Sequence, residues 1–256
     1  MKKYKGYLID LDGTMYRGNE QVEAASDFID LLKEKNIPYL FVTNNSSRTP
    51  QQIADKLVSL DISATGEQVF TTSNATANYM YDLKKNASVY VIGENGIEEA
   101  LVEKGFRIVD ENPDFVVVGI DRSVNYEKFA KACLAVRNGA TFISTNGDIA
   151  FPTERGLLPG NGSLTSVVTV STTVQPTFIG KPESIIIEQA LEVLGVPRED
   201  VLMVGDNYDT DIKAGMNAGI DTLLVHTGVT TKEILDTHEE KPTHTINTLR
   251  EWFEKV

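Results

Sequence analysis

Short apolar runs recur along this chain, each followed by a stretch with helical spacing, and that alternation limits the fold more than any other feature. The runs at residues 7–10, 39–43, 69–71, 89–92, 115–119, 141–144, 177–180, 201–204 and 221–225 are apolar and β-branched on both faces. Strands of that kind are buried on both sides, as in a parallel sheet covered by helices. Helices are expected at about residues 23–35, 50–60 and 74–84, and between most of the later strands. The expected class is α/β.

Polar residues collect where these strands end. The first run ends in Asp10, the second in Thr43 and Asn44, the run at 177–180 in Lys181, and the run at 201–204 is followed by Asp206. Ligands of open α/β sheets bind at the carboxyl edge, so these endings are expected to converge on one site. Residues 82–175 read as a second α/β unit, with two strand-helix passages and a long segment bearing Gly and Pro at 146–162. The expected organisation is a core of residues 1–81 and 176–256 with this unit inserted as a cap over the site.

At 256 residues the chain is long enough for one large domain or two modest ones. Its 41% hydrophobic and 24% charged residues are ordinary for a globular protein, and no apolar run reaches membrane-spanning length. The opening MKKYKGYLIDLDG meets Asp10 and Asp12 too soon for a signal peptide and reads as a strand entering a polar site. The single cysteine, Cys133, forms no internal disulfide and reads as a small buried residue of a helix. A cytoplasmic location is expected. The net charge of -13 opposes nucleic acid and anionic membranes as partners. It also means that a phosphate-bearing ligand would need local donors and a cation.

Asp10-Leu11-Asp12-Gly13-Thr14 sets two carboxylates two residues apart just past a strand, with Gly13 to turn the backbone sharply. Phosphoester hydrolysis needs a nucleophile and a proton donor for the leaving alkoxide. Asp10 suits the first role, forming an aspartyl-phosphate, and Asp12 the second. Asp-Gly is also a common turn pair, and this motif alone leaves the two readings level.

Gly205-Asp206-Asn207-Tyr208-Asp209-Thr210-Asp211 adds three carboxylates at another strand end. Such clustering favours a hard cation, and magnesium takes oxygen ligands from carboxylates, phosphate and water. The expected ligands are Asp206, Asp10 and the backbone carbonyl of Asp12. Asp211 is expected to hold a ligand or Lys181 in place, and Asp209 to complement a helix N-terminus. Lys181, before Pro182, supplies positive charge to Asp10 and to phosphoryl oxygens. Thr43 and Asn44 offer hydroxyl and amide donors, whereas Ser47 or Thr49 reads as a helix cap before Pro50.

The DLDGT, VTNNS, GKP and GDNYDTD stretches, in this order, resemble the motifs of the haloacid dehalogenase superfamily at Asp10, Thr43, Lys181 and Asp206. The Asn pair after Thr43 and the long insertion resemble the NagD-like, or p-nitrophenylphosphatase-type, branch. The resemblance implies a Rossmann-like core with an α/β cap, and a Mg2+-dependent phosphatase acting on a small phosphate ester: a nucleotide, a sugar phosphate, pyridoxal phosphate or an aryl ester. It implies Asp10 as nucleophile, Asp12 as general acid and base, and Thr43 and Asn44 as phosphate binders. Lys181 becomes the stabilising cation and Asp206 a metal ligand, with Asn207 in the substrate-binding loop beside it. Asn146-Gly147-Asp148 lies where such enzymes present specificity residues, and the resemblance allows a homodimer through the cap.

Other features read as structural. Gly160-Asn161-Gly162 lacks the lysine of a P-loop and is expected to serve helix packing. His226, His238 and His244 lack metal-ligand spacing, which opposes a zinc site. Trp252 is expected to anchor the terminal helix. The rival functions are a phosphotransferase or mutase of the same superfamily and, further off, a phosphate-sensing module without turnover.

Overall fold

The computed structural model describes residues 2–153 and 155–256. The chain divides into two compact units. The first holds the chain up to Thr43, Pro50–Phe70 and Lys181–Val256; the second holds Asn44–Thr49 and Thr71–Gly180.

The main sheet of the first unit runs His244–Ile246, Asp221–Val225, Val201–Gly205, Gly6–Ile9, Tyr39–Thr43, Val69–Thr71 in spatial order. Gly6–Ile9 lies parallel to Val201–Gly205 on one side and to Tyr39–Thr43 on the other. The chain builds outward on one side of this strand and later returns to build on the other, which makes its carboxyl end a switch point. Ile9 is level with Val204 and with Phe41, so the three strands run out together at one edge.

Burial on both faces explains the unbroken apolar runs: Tyr7, Leu8, Ile9, Phe41, Val42 and Leu202 are fully buried. Helix Ala25–Glu34 turns Ala25, Phe28, Ile29 and Leu32 inward, the spacing of one helical face. Each of its large apolar side chains contributes about 1.5–3 kcal/mol by leaving water. Trp252, in the terminal segment Leu249–Lys255, is buried and donates its indole N–H to the Tyr7 hydroxyl at 3.3 Å.

The second unit has a parallel sheet of its own, ordered Thr177–Phe178, Thr141–Ser144, Phe115–Val118, Ser88–Ile92, Arg107–Ile108. Val116, Val118, Ala132, Val136 and Val168 form a packed cluster there, with Cys133 half-buried against it. The Gly- and Pro-bearing segment contains an antiparallel hairpin of Ala150–Thr153 and Gly156–Pro159. Together the units form an α/β chain with a Rossmann-like core and an inserted α/β unit.

Two local expectations change. The apolar run at 177–180 was expected to join the first sheet, but Thr177–Phe178 pairs with Thr141–Ser144 at the edge of the second. Ile179 and Gly180 continue that pairing through their N–H groups to the Ser144 and Thr145 carbonyls, so the run stays in the second unit until Lys181. Helix Thr72–Leu83 packs against Asn95–Glu103, and the second unit begins at Thr71 rather than Asp82. The Thr71 hydroxyl accepts the Asn74 N–H at 3.2 Å, starting this helix directly after the strand. Among the described residues no helix is long and apolar enough to cross a membrane.

Candidate active site

Asp10 follows the central strand, and its N–H still donates to the Val204 carbonyl at 2.8 Å. That bond holds the side chain at the sheet edge, 7% exposed. Beyond it the chain closes a tight turn, with the Leu11 carbonyl accepting the N–H groups of Thr14, Met15 and Tyr16. Gly13 has φ of 93°, and a Cβ there would lie 2.4 Å from a carboxylate oxygen of Asp206. Both the turn and the approach of Asp206 therefore require glycine.

Asp206, Asp211 and Lys181 are as buried as the apolar core, at 1%, 1% and 2% exposure. Lys181 Nζ donates to Asp10 Oδ1 at 2.5 Å, to Asp211 Oδ1 at 2.7 Å and to the Val42 carbonyl at 3.1 Å. Asp211 Oδ2 accepts the Asn207 N–H at 3.1 Å, and the side chain packs over Gly205, where a Cβ would meet it at 2.3 Å. Asp206 Oδ2 accepts the Val229 N–H at 2.7 Å. The Thr14 hydroxyl lies 3.4 Å from Asp10 Oδ2 and 3.3 Å from Asp206 Oδ1. Asp10 Oδ2 and Asp206 Oδ1 are thus the carboxylate oxygens least engaged by strong donors.

Asp10, Asp206 and Asp211 each bring one oxygen within 4.8 Å of the others, against the single ammonium of Lys181. Burial, and then the charge of Asp211, raises Asp10 well above the usual carboxylate range. The same two causes push Asp206 up to about 7. Burial would lower Lys181, but the Asp10 and Asp211 carboxylates outweigh it and hold the ammonium charged. The cluster therefore lacks positive charge. Its free donors are all oxygen, which suits a hard divalent cation such as Mg2+.

The expected residues are not all in this cluster. Thr43, 5% exposed, ends its strand at the same edge. The Asp12 side chain is exposed and accepts the Tyr16 hydroxyl at 3.2 Å. Asn44 belongs to the second unit, where its Nδ2 donates to Asp148 Oδ2 at 3.2 Å and its carbonyl accepts Asn146 Nδ2 at 2.8 Å. Asn207 uses its side-chain carbonyl to accept the Asp209 N–H at 3.0 Å. Asp209 pairs on the surface with Lys213 at 2.6 Å.

Residues 7–107 match the family described as haloacid dehalogenase-like hydrolase, and residues 178–252 match one described as HAD-hydrolase-like. The chain is 70% identical over 253 residues to the 5'-nucleotidase YutF of Bacillus subtilis (strain 168), covering 99% of each. The chain belongs to the haloacid dehalogenase-like hydrolases. It is a NagD-like phosphatase of that family, an enzyme that hydrolyses phosphomonoesters. An acid sugar phosphatase of Staphylococcus haemolyticus is 54% identical to it, with 97% of this chain and 95% of that one covered. The crystal structure of a double mutant thermostable NPPase from Geobacillus stearothermophilus superposes with a TM-score of 0.94 at 63% identity, over 98% and 99% of the two chains.

Several residues around the phosphatase's carboxylates escaped the sequence reading. Thr14 bridges Asp10 and Asp206, and residues 227–230 touch both Asp206 and the Asp10 loop. Thr14 was visible only as the last letter of DLDGT. The second group bonds largely through backbone atoms, and its one sequence signal is Gly228 among threonines.

Proposed function

We propose that this phosphatase cleaves a small phosphomonoester through an aspartyl-phosphate on Asp10, with Mg2+ as cofactor. The arrangement of Lys181 carries the reading. It engages Asp10 Oδ1 and Asp211 together, which leaves Asp10 Oδ2 as the oxygen able to attack phosphorus. Asp10, Asp206 and the Asp12 carbonyl would hold the cation. When bound, Mg2+ neutralises carboxylate charge that would repel the substrate and stabilises charge on the transferring phosphoryl group.

Asp10 Oδ2 forms a bond to phosphorus as the ester P–O bond breaks. Asp12, in its acid form, gives its proton to the departing alkoxide. Asp12, now a carboxylate, takes a proton from water; that water attacks phosphorus, and inorganic phosphate leaves with Asp10 restored. Its exposed position gives Asp12 access to both the leaving group and the water. Thr43, Asn44 and Asn207 bind phosphoryl or substrate oxygens through hydroxyl and amide groups, and Lys181 compensates the negative charge. Asp211 keeps the Lys181 ammonium aimed at Asp10.

The second unit reads the leaving group in this proposal. The relative at 70% identity is named a 5'-nucleotidase, so a nucleoside 5'-phosphate is the leading substrate class, ahead of sugar phosphates. A cytoplasmic location and a homodimer through the second unit belong to the same proposal.

Metal removal tests it. Chelator should stop phosphate release from p-nitrophenyl phosphate, Mg2+ should restore it, and Ca2+, with its looser shell, should restore it poorly. Full turnover in chelator would contradict the metal-dependent reading.

A further inference from the structure

Strand Asp221–Val225 lies beside Val201–Gly205, with Leu224 level with Gly205, so the residues that follow it emerge next to Asp206. Their contacts are concentrated on two targets. Val229 N–H donates to Asp206 Oδ2 at 2.7 Å, and Thr230 N–H donates to the Asp206 carbonyl at 3.1 Å. The Thr227 hydroxyl, on a residue 6% exposed, donates to the Gly13 carbonyl at 2.7 Å. Thr230 is fastened in turn, its hydroxyl accepting the Tyr208 N–H at 2.8 Å and its carbonyl lying 2.9 Å from His226 Nδ1. A Cβ on Gly228 would stand 1.9 Å from Asp206 Oδ2, closer than any real contact. The Val229 side chain is 59% exposed, so this residue serves the site through its backbone alone.

We propose that residues 227–230 are a positioning clasp that orients Asp206 and the Asp10 loop for the cation. This rests on the reading of Asp206 as a metal ligand. With Oδ2 held by Val229 and flanked by Gly228, the carboxylate has one attitude, and it presents Oδ1. The clasp also reaches the second expected ligand. Gly13 N–H is tied to the Tyr16 carbonyl at 2.7 Å, and peptide planarity points the Asp12 carbonyl the opposite way, while Thr227 holds the Gly13 C=O of the next peptide plane and so anchors the same turn from its other side. None of the four residues touches the cation in this account; they set how well two other residues do. Hydrogen-bonding partners of metal ligands are typically worth about 10–100-fold in metal affinity.

Mn2+ binding to the whole purified protein, followed by the loss of the free-ion electron paramagnetic resonance signal, reads this without turnover. Gly228→Ala should weaken Mn2+ binding by about 10–100-fold and Thr227→Val by about 10-fold, while Thr227→Ser, which keeps the hydroxyl, stays near the parent protein. Circular dichroism and melting without metal check that each variant is folded; if Gly228→Ala is not, the Thr227 pair decides. Parent-like affinity in folded Thr227→Val overturns the clasp, whatever Gly228→Ala does. Asp206→Ala separates the two readings. Lost Mn2+ binding there beside parent-like Thr227→Val refutes the clasp alone, and parent-like Asp206→Ala refutes the metal reading and the clasp with it.

Discussion

The sheets of the two units are made of the same kind of strand, parallel, buried and rich in β-branched residues, yet their carboxyl edges carry different chemistry. In the second unit the strands ending at Ile92, Val118 and Ser144 are followed by Gly93, Gly119 and Thr145. One buried amide gathers this edge: Asn161 Nδ2 lies within 2.8–3.2 Å of the Val118 carbonyl, the Ser144 and Thr145 hydroxyls and the Asn146 carbonyl. That network is neutral and titrates nowhere near physiological pH. In the first unit the corresponding edge holds three buried carboxylates and one ammonium. It is incomplete in charge, and the incompleteness is what a cation and a phosphoryl group can use. The fold supplies an edge in both cases, and the residues after the strands decide whether it carries chemistry.

Short of removing the nucleophile itself, the largest effect is expected at Asp12. If it protonates the leaving group, Asp12→Asn should slow formation of the phosphoenzyme from a nucleoside or sugar phosphate by about 10²–10⁴-fold. An aryl phosphate, whose leaving group departs with little help, should lose much less in the same rapid-mixing measurement. Equal losses would assign Asp12 to the shape of the loop instead.

The charged and neutral edges should also part company with pH. Asp206 ionises near 3.8 in the unfolded chain and at about 7 in the folded protein without metal. Between those values the folded state holds the extra proton, so stability falls as pH rises through that window, by on the order of 4 kcal/mol. Melting in chelator from pH 4 to 8 should show the decline, and Mg2+ should flatten it. Asn161→Ala, which cuts the neutral network, should cost about 1–3 kcal/mol by a similar amount at every pH in the range. A flat profile in chelator, or a strongly pH-dependent effect of Asn161→Ala, would remove the distinction.

Much of the charged edge was legible from sequence because strand ends have strong signals: an apolar β-branched run that stops at Asp10, Thr43 or Asp206 announces both the element and the direction of its last side chain. Lys181 was legible as a charge beside a glycine and a proline, but its route was not. The run before it looks like any buried strand, and nothing local says which of two parallel sheets it joins. The clasp at residues 227–230 was hidden for a different reason. Backbone N–H groups have no letter of their own, and a buried threonine looks like any other strand-end polar residue. The same limit applied to Asn161, whose hydrogen bonds join residues far apart in the chain.

The claim that the charged edge is a covalent catalytic site is tested most directly by trapping. The protein and an Asp10→Asn variant, matched in volume and checked for fold, would be mixed with a radiolabelled phosphate ester, quenched in acid and mapped by peptide. The account predicts acid-stable label on the peptide carrying Asp10 within one turnover, and neither label nor phosphate release in the variant. Phosphate release by Asp10→Asn at a rate comparable to the parent, or a parent that turns over with no label at Asp10, would contradict it.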